Sequence, residues 1–328
     1  MSSQDRSAEI NQVCSLLTRY YVFPDVGERV VEVLRRRHSA GAFAGLSTDE
    51  NFGAAVTATL QSVNGDRHLR LLHSVDEIPV QADNDAEVSD ADGYRQEVLL
   101  SAGGIAAAQR LDDNVGYLDI PHPARCQPRG PIASAAMTLL AGTDVLIIDL
   151  RRCPGGSPLM VAHYCSYLFD DPTHLNDIYD RPGDQTRQFW TAPSVPGAKF
   201  GGSKPVYVLT SSDTFSGAEE LSYDLQSRGR ATVVGERTRG GAHPGARYRI
   251  GPHLQLAVPQ GRAINPVTGT NWEGVGVRPD VDVPAESAFD TAYELALDHV
   301  ITLGRDGVRR AGADEAEAAR DRLRAVRR

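Results

Sequence analysis

Apolar positions recur every three to four residues through the first 63 residues of the chain. Ile10, Val13, Cys14, Leu17 and Tyr21 form one stripe, Val26, Val30, Val33 and Leu34 a second after Phe23-Pro24, and Phe52, Val56, Leu60 and Val63 a third. That period predicts three helices whose apolar stripes bury against one another. Ser47-Thr48-Asp49-Glu50 reads as a capping box opening the third helix. The period then breaks. Asn64-Gly65-Asp66-Arg67-His68 is a turn signal leading into a short strand, and residues 76–97 are acidic and poor in apolar residues, which suits a solvated linker. That run has no D-x-D-x-D-G loop with a closing Glu, so it is not a calcium site.

From residue 98 onward strand-like and helix-like patterns alternate. Val115-Gly116-Tyr117-Leu118-Asp119-Ile120 reads as a strand, residues 130–141 as a helix, and Asp144–Leu150 as a continuous apolar strand covered on both faces. Residues 170–203 show no period and read as irregular. Val206-Tyr207-Val208-Leu209 is a further strand, followed by a polar turn and the helical spacing of Ala218, Leu221 and Leu225. Tyr248-Arg249-Ile250 and Leu254–Val258 read as paired strands across Gly251-Pro252, and a helix runs from about Glu286 to Leu303 before a charged tail. The fold class is α/β. The boundaries read from the chain are a helical domain at 1–63, a connecting strand and acidic linker at 64–97, an α/β domain at 98–304 and a tail at 305–328.

Composition narrows the functions. The 328 residues are 41% hydrophobic and 23% charged, an ordinary globular balance, with a net charge of −9. No broad attraction to nucleic acid or anionic membranes follows from that charge. Neither a secretory leader nor an apolar run near the ~18 residues of a membrane span is visible, so a cytoplasmic location is expected. Cys14, Cys126, Cys153 and Cys165 lack C-x-x-C spacing and read as free thiols. With no H-E-x-x-H, no closed Cys/His cluster and no intact phosphate loop, no metal or cofactor is expected.

Three short stretches carry candidate chemistry. Ser216 lies where the 206–209 strand turns into a helix, so that helix N–H groups and the helix dipole would favour a developing negative charge. Its bland reading is a cap, completed by Glu219 three residues on. Gly155-Gly156 follows the Asp144–Leu150 strand and permits close backbone approach to a bound group, or forms a plain tight turn. His68 stands at a turn-strand junction, where an ordinary surface histidine is the alternative.

Asp149-Leu150-Arg151-Arg152-Cys153-Pro154-Gly155-Gly156, Thr214-Phe215-Ser216-Gly217-Ala218-Glu219, Val234-Gly235-Glu236-Arg237-Thr238 and Gly276-Val277-Arg278-Pro279-Asp280 occur in this order. Together they resemble the tail-specific (C-terminal processing) serine protease family, which includes the tricorn core and the interphotoreceptor retinoid-binding protein repeats. The resemblance covers roughly residues 64–285, and the helical N-terminal segment resembles the one preceding this domain in the retinoid-binding branch. It implies a Clp-protease/crotonase-like ββα spiral with Ser216 as nucleophile and Gly217 with Gly155 or Gly156 as oxyanion donors. The family lysine, 25 residues after the serine, is replaced by Gly241, and the only lysines in that half, Lys199 and Lys204, precede the serine strand. The tricorn-like branch uses histidine and glutamate instead, which the resemblance places at His68 and Glu273, with His243 as the rival base. The implied activity is peptide hydrolysis on peptides or unfolded chain ends, without a PDZ module. A non-proteolytic binder of apolar ligands, and an esterase, are the alternatives. A homo-oligomer stays open.

Overall fold

The computed structural model describes residues 6–80, 100, 102–111, 113–121, 130–304 and 309–326. Most of the acidic linker expected at 76–97, together with Cys126, lies outside the described residues. In chain order the elements are α1 (Ser7–Tyr20), α2 (Pro24–Ser39), α3 (Asp49–Gln61), β1 (Arg70–His73), β2 (Ala107–Arg110), β3 (Val115–Asp119), α4 (Gly130–Leu140), β4 (Val145–Asp149), α5 (Pro158–Ser166), β5 (His174–Asp180), β6 (Gln185–Trp190), β7 (Val206–Thr210), α6 (Gly217–Ser227), β8 (Thr232–Gly235), β9 (Gly245–Gly251), β10 (Leu254–Pro259), β11 (Gly261–Ile264), β12 (Val281–Asp282), α7 (Ala285–Thr302) and α8 (Arg309–Val326). Two compact units divide them, residues 1–91, 177–187 and 241–264 in one and 92–176, 188–240 and 265–328 in the other. The boundaries read from the sequence are contiguous, whereas these units are not, because strand pairing joins segments distant in the chain.

In the first unit, the three apolar stripes close into one core with the antiparallel sheet β1-β10-β9. Burying Phe52 or Leu60 completely contributes roughly 2 kcal/mol each. Helix α3 lies close over β1: a Cβ on Gly53 would sit 2.9 Å from the Leu71 carbonyl oxygen. The Thr57 hydroxyl accepts from the Leu71 N–H at 2.9 Å. Its cap differs by one residue from the sequence expectation. Thr48 is the N-cap, accepting from Asn51 N–H at 3.2 Å, because it is Thr48 that has the extended backbone of a cap. The β9–β10 hairpin forms as expected, and β1 pairs with β10 from Arg70 opposite Ala257 to His73 opposite Leu254.

The second unit is built on a six-stranded sheet in the order β12-β8-β7-β4-β3-β2, parallel except for β2. Every residue of β4 is buried, as strands covered on both faces require. Val145 and Ile147 meet Ala288, Ala292 and Ala296 of α7, whose small side chains at four-residue spacing allow close approach. The charged tail continues this packing: α8 buries Ala316 and Ala319, and Arg320 pairs with Asp298 at 2.9 Å. Residues 170–203 correct the sequence reading, since they contain β5 and β6. Their polar composition hides the strands, whose order comes from pairing and from the stacking of His174 on Trp190 at 4.6 Å. Among the described residues no helix is long and apolar enough to cross a membrane, and Cys14, Cys153 and Cys165 are buried free thiols.

Candidate active site

In the second unit β4 and β7 are parallel neighbours, so the loops that follow them emerge side by side at the carboxyl edge of the sheet. These are Leu150–Gly156 and Ser211–Ser216. Thr214 donates its hydroxyl to the Leu150 carbonyl at 2.9 Å, Ser211 to the Arg151 carbonyl at 2.5 Å, and the Phe215 N–H donates to the Cys153 carbonyl at 3.1 Å. Asp149 anchors the first loop through two hydrogen bonds from the Arg151 guanidinium, at 2.6 and 3.0 Å, and one from the Tyr117 hydroxyl at 2.8 Å. Burial alone would raise the Asp149 carboxyl, but these donors and the Arg151 charge outweigh it and hold the group below the usual carboxylate range.

Ser216 caps α6 with φ 52° and ψ −121°. A positive φ in a non-glycine residue is a strained conformation, about 1–3 kcal/mol above the ordinary wells, and it persists only where the surroundings impose it. Here they do. The Ser216 N–H donates to Glu219 Oε2 at 2.8 Å, and the other oxygen of that fully buried carboxylate accepts from Gly240 N–H at 2.6 Å and the Thr238 hydroxyl at 2.5 Å. Arg239 N–H donates to the Thr214 carbonyl at 3.0 Å. Glu219 thus does more than the capping-box reading assigns it, since it ties the glycine-rich loop at residues 239–245 to the Ser216 turn. Gly155 has φ 111°, and a Cβ there would fall 2.6 Å from Ser216 Cβ. One on Gly217 would fall 2.7 Å from Gly156 N. Only glycine backbones can lie this close.

Glu220 and Asp224, four residues apart on α6, are also buried. Asn176 donates to Glu220 at 3.1 Å and Asn265 to Asp224 at 3.0 Å. Burial pushes the Glu220 carboxyl up to about 7 against the Asn176 hydrogen bond, and burial with the Glu220 charge pushes Asp224 up as well. A carboxyl raised on folding contributes stability that is complete below its unfolded value and lost as pH rises through the folded one, here from about pH 4.5 to 7. Glu220→Gln, which keeps an oxygen for Asn176, is therefore expected to raise the melting temperature at pH 8 and leave it unchanged at pH 4. An equal shift at both values would contradict this account.

Within the first unit the histidines form a separate cluster. Loop 241–245 is zipped to the chain around β11 by Ala263 N–H to the Ala242 carbonyl at 3.0 Å and Gly261 N–H to the Pro244 carbonyl at 2.9 Å. His243, buried, has Nδ1 3.0 Å from Asp66 Oδ2 and its ring edge-to-face with Phe23. Asp66 also accepts from the Tyr21 hydroxyl at 2.9 Å and, on its other oxygen, from the His68 N–H at 3.0 Å. Burial would raise this carboxyl, but the His243 and Tyr21 hydrogen bonds and the imidazole charges hold it below its usual range. It is therefore an acceptor only, and the bond fixes the proton on His243 Nδ1. Burial pushes His68 down to about 4, with the His243 and Arg70 charges adding to it and Asp66 opposing.

The profile described as Peptidase family S41 matches residues 114–283, just over half of the chain. The chain belongs to peptidase family S41. Residues 3–99 match the N-terminal domain that precedes it in eukaryotic interphotoreceptor retinoid-binding protein. A carboxyl-terminal-processing protease of Picosynechococcus sp. is 26% identical over 58% of this chain and 46% of its own length. One of Synechocystis sp. is 28% identical over 61% and 48%. The chain thus aligns with about half the length of these curated relatives. A solved S41 protease structure from Bacteroides fragilis matches with a TM-score of 0.61 at 14% identity, over 87% of this chain and 96% of that one, which shows the shared fold.

As an S41 chain, it groups the predicted residues Ser216, Gly217, Gly155 and Gly156 in one unit, and His68 with His243 in the other. Glu273, half-buried, belongs to the unit of Ser216. Its N–H donates to Asn271 Oδ1 at 2.9 Å in a turn held to the glycine-rich loop by Gly274 N–H to the Gly240 carbonyl at 3.3 Å. The partner that the sequence reading missed is Asp66. It stands in the same turn as His68, and only the 177-residue separation from His243 hid the pairing.

The depressed His68 titration has a consequence for stability. A histidine whose pKa is lowered on folding binds its proton first in the unfolded chain, so its contribution is complete above about pH 6.5 and is lost as pH falls towards 4. The melting temperature is expected to drop across that window, and His68→Gln to flatten part of the drop. A variant melting profile parallel to that of the wild type would contradict it.

Proposed function

We propose that the protein is a serine peptidase that hydrolyses peptide bonds through an acyl-enzyme intermediate. The observation that carries this is the strained Ser216 at a helix N-terminus with glycine backbones packed against it. Ser216 Oγ attacks the scissile carbonyl carbon while His243 takes its proton, Asp66 holding the imidazole in the required tautomer. The oxyanion is stabilised by the Gly217 N–H together with Gly156. Gly155 is the weaker choice because its N–H is directed at the Cys153 sulfur. The carbon–nitrogen bond then breaks, His243 gives its proton to the leaving amine, and water hydrolyses the ester by the same route in reverse. The substrates are peptides or unfolded chain ends, in keeping with the processing activity named for the relatives.

A second reading keeps His68 as base with Glu273 as its carboxylate. It is favoured by the low His68 pKa, which leaves that imidazole neutral at every pH above about 4. Such a weakly basic group is a poorer match to proton transfer near neutrality. Treating the protein with a fluorophosphonate probe and mapping the adduct by mass spectrometry tests the nucleophile. A single adduct on Ser216 is expected, and labelling elsewhere or none at all refutes the peptidase reading.

A further inference from the structure

At the C-terminal end of β1, wholly within the first unit, an open hollow of about 430 Å³ is lined by Ser47, Asp49, His73, Val75 and His253. Three separate elements bring its polar groups together. Helix α3 crosses β1 at Gly53, close against the Leu71 carbonyl. Asp49 lies one turn before Gly53 on that helix, and His73 lies two residues beyond Leu71, on the same face of the strand. His253 stands in the turn that enters β10, the strand with which β1 pairs. Ser74 N–H donates to the His253 carbonyl at 2.9 Å and Ile78 N–H to the Pro252 carbonyl at 2.7 Å, so this turn is tied to the chain leaving β1.

We propose that His73, His253 and Asp49 form a binding site for a divalent transition metal of the zinc class. The site shares no residue with Ser216, His243 or Asp66 and does not depend on the serine peptidase reading. Two imidazoles and a carboxylate are a donor set that suits such an ion. Two of the three donors already have the supporting partners that metal ligands use. His253 Nδ1 lies 3.2 Å from the Ser74 carbonyl. A carbonyl only accepts, so this bond puts the ring proton on Nδ1 and leaves the Nε2 lone pair for a metal. Asp49 is held by an ion pair with the buried Arg6 guanidinium at 2.8 Å. His73 is exposed and is the donor that moves. Its ring centroid stands 6.4 Å from that of His253. Two imidazoles on one tetrahedral ion, with metal–nitrogen bonds of ~2.0–2.1 Å, have centroids about 5 Å apart, so closure takes a small rotation of one exposed side chain. The hollow is larger than the ion itself, which leaves room for water as a fourth ligand. A bound ion would bridge α3, β1 and the turn before β10. The sequence expectation of no metal rested on closed ligand spacings, whereas these donors are scattered along the chain.

The experiment titrates the full chain, free of any affinity tag, with zinc chloride in a non-coordinating buffer near neutral pH. Calorimetry is expected to show a single zinc bound, with a rise in the melting temperature. In NMR spectra of the imidazole nitrogens the His73 and His253 signals are expected to move while those of His243 stay in place. His73→Ala and His253→Ala should each weaken binding by at least about 10²-fold, since removing a supporting partner alone costs roughly 10–100-fold. Asp49→Asn should weaken it by about tenfold or more, with the fold of each variant checked by circular dichroism. Absence of binding up to about 1 mM zinc overturns the site. So does an affinity unchanged in any of the three variants, or a zinc-induced shift at His243 without one at His73 and His253. The wild-type spectra decide the matter even if a variant fails to fold.

Discussion

Ser216→Ala should lose at least ~10³-fold in kcat/KM and all fluorophosphonate labelling, by the scale of nucleophile deletions in enzymes of this kind. Alanine retains Cβ and therefore the same backbone strain at φ 52°, so the turn keeps its geometry while losing only the hydroxyl. Gly217 and Gly156, the proposed oxyanion donors, keep their backbone positions, which predicts that the variant still binds peptide with an affinity close to that of the wild type. Unfolding monitored by circular dichroism should be unchanged. Hydrolysis or labelling at the wild-type level in a folded Ser216→Ala protein would remove Ser216 from the mechanism.

The second large effect separates the two imidazoles. His243→Ala is expected to abolish turnover as completely as Ser216→Ala, because members of one catalytic unit fail together. Asp66→Asn should cost about 10²–10⁴-fold, since an amide no longer enforces the proton on Nδ1. His68→Ala should retain far more activity than His243→Ala. The pH profile provides an independent reading: a base titrating like His68 would keep the enzyme active down to about pH 4. Turnover surviving to that value, with His68→Ala and Glu273→Gln inactive and His243→Ala near wild type, would transfer the role of base to His68.

The helices, the buried strands and the strand–turn–helix unit around Ser216 were legible because each depends on neighbours close in the chain. The stripes from Ile10 to Val63 obey a local period, Val145–Asp149 is a run of apolar residues, and the turn before Gly217 joins a strand pattern directly to a helical one. Strands β5 and β6 were missed for the opposite reason. Their residues are mostly polar and their order depends on partners such as β11, about 80 residues away.

The sequence by itself determined the S41 order of motifs and the presence of Gly241 at the position of the family lysine. Tertiary structure decided what surrounds those residues. The positive φ of the Ser216 cap and the reach of the Glu219 carboxylate to Thr238 and Gly240 depend on partners about 20 residues further along the chain. Which histidine carries a carboxylate depended on folding that brings residue 66 to residue 243. Hydrogen-bond partners and burial are properties of three-dimensional neighbours, and it is these that set tautomer, strain and pKa. A chain read in one dimension names the residue types, while the fold selects among the pairings those types allow.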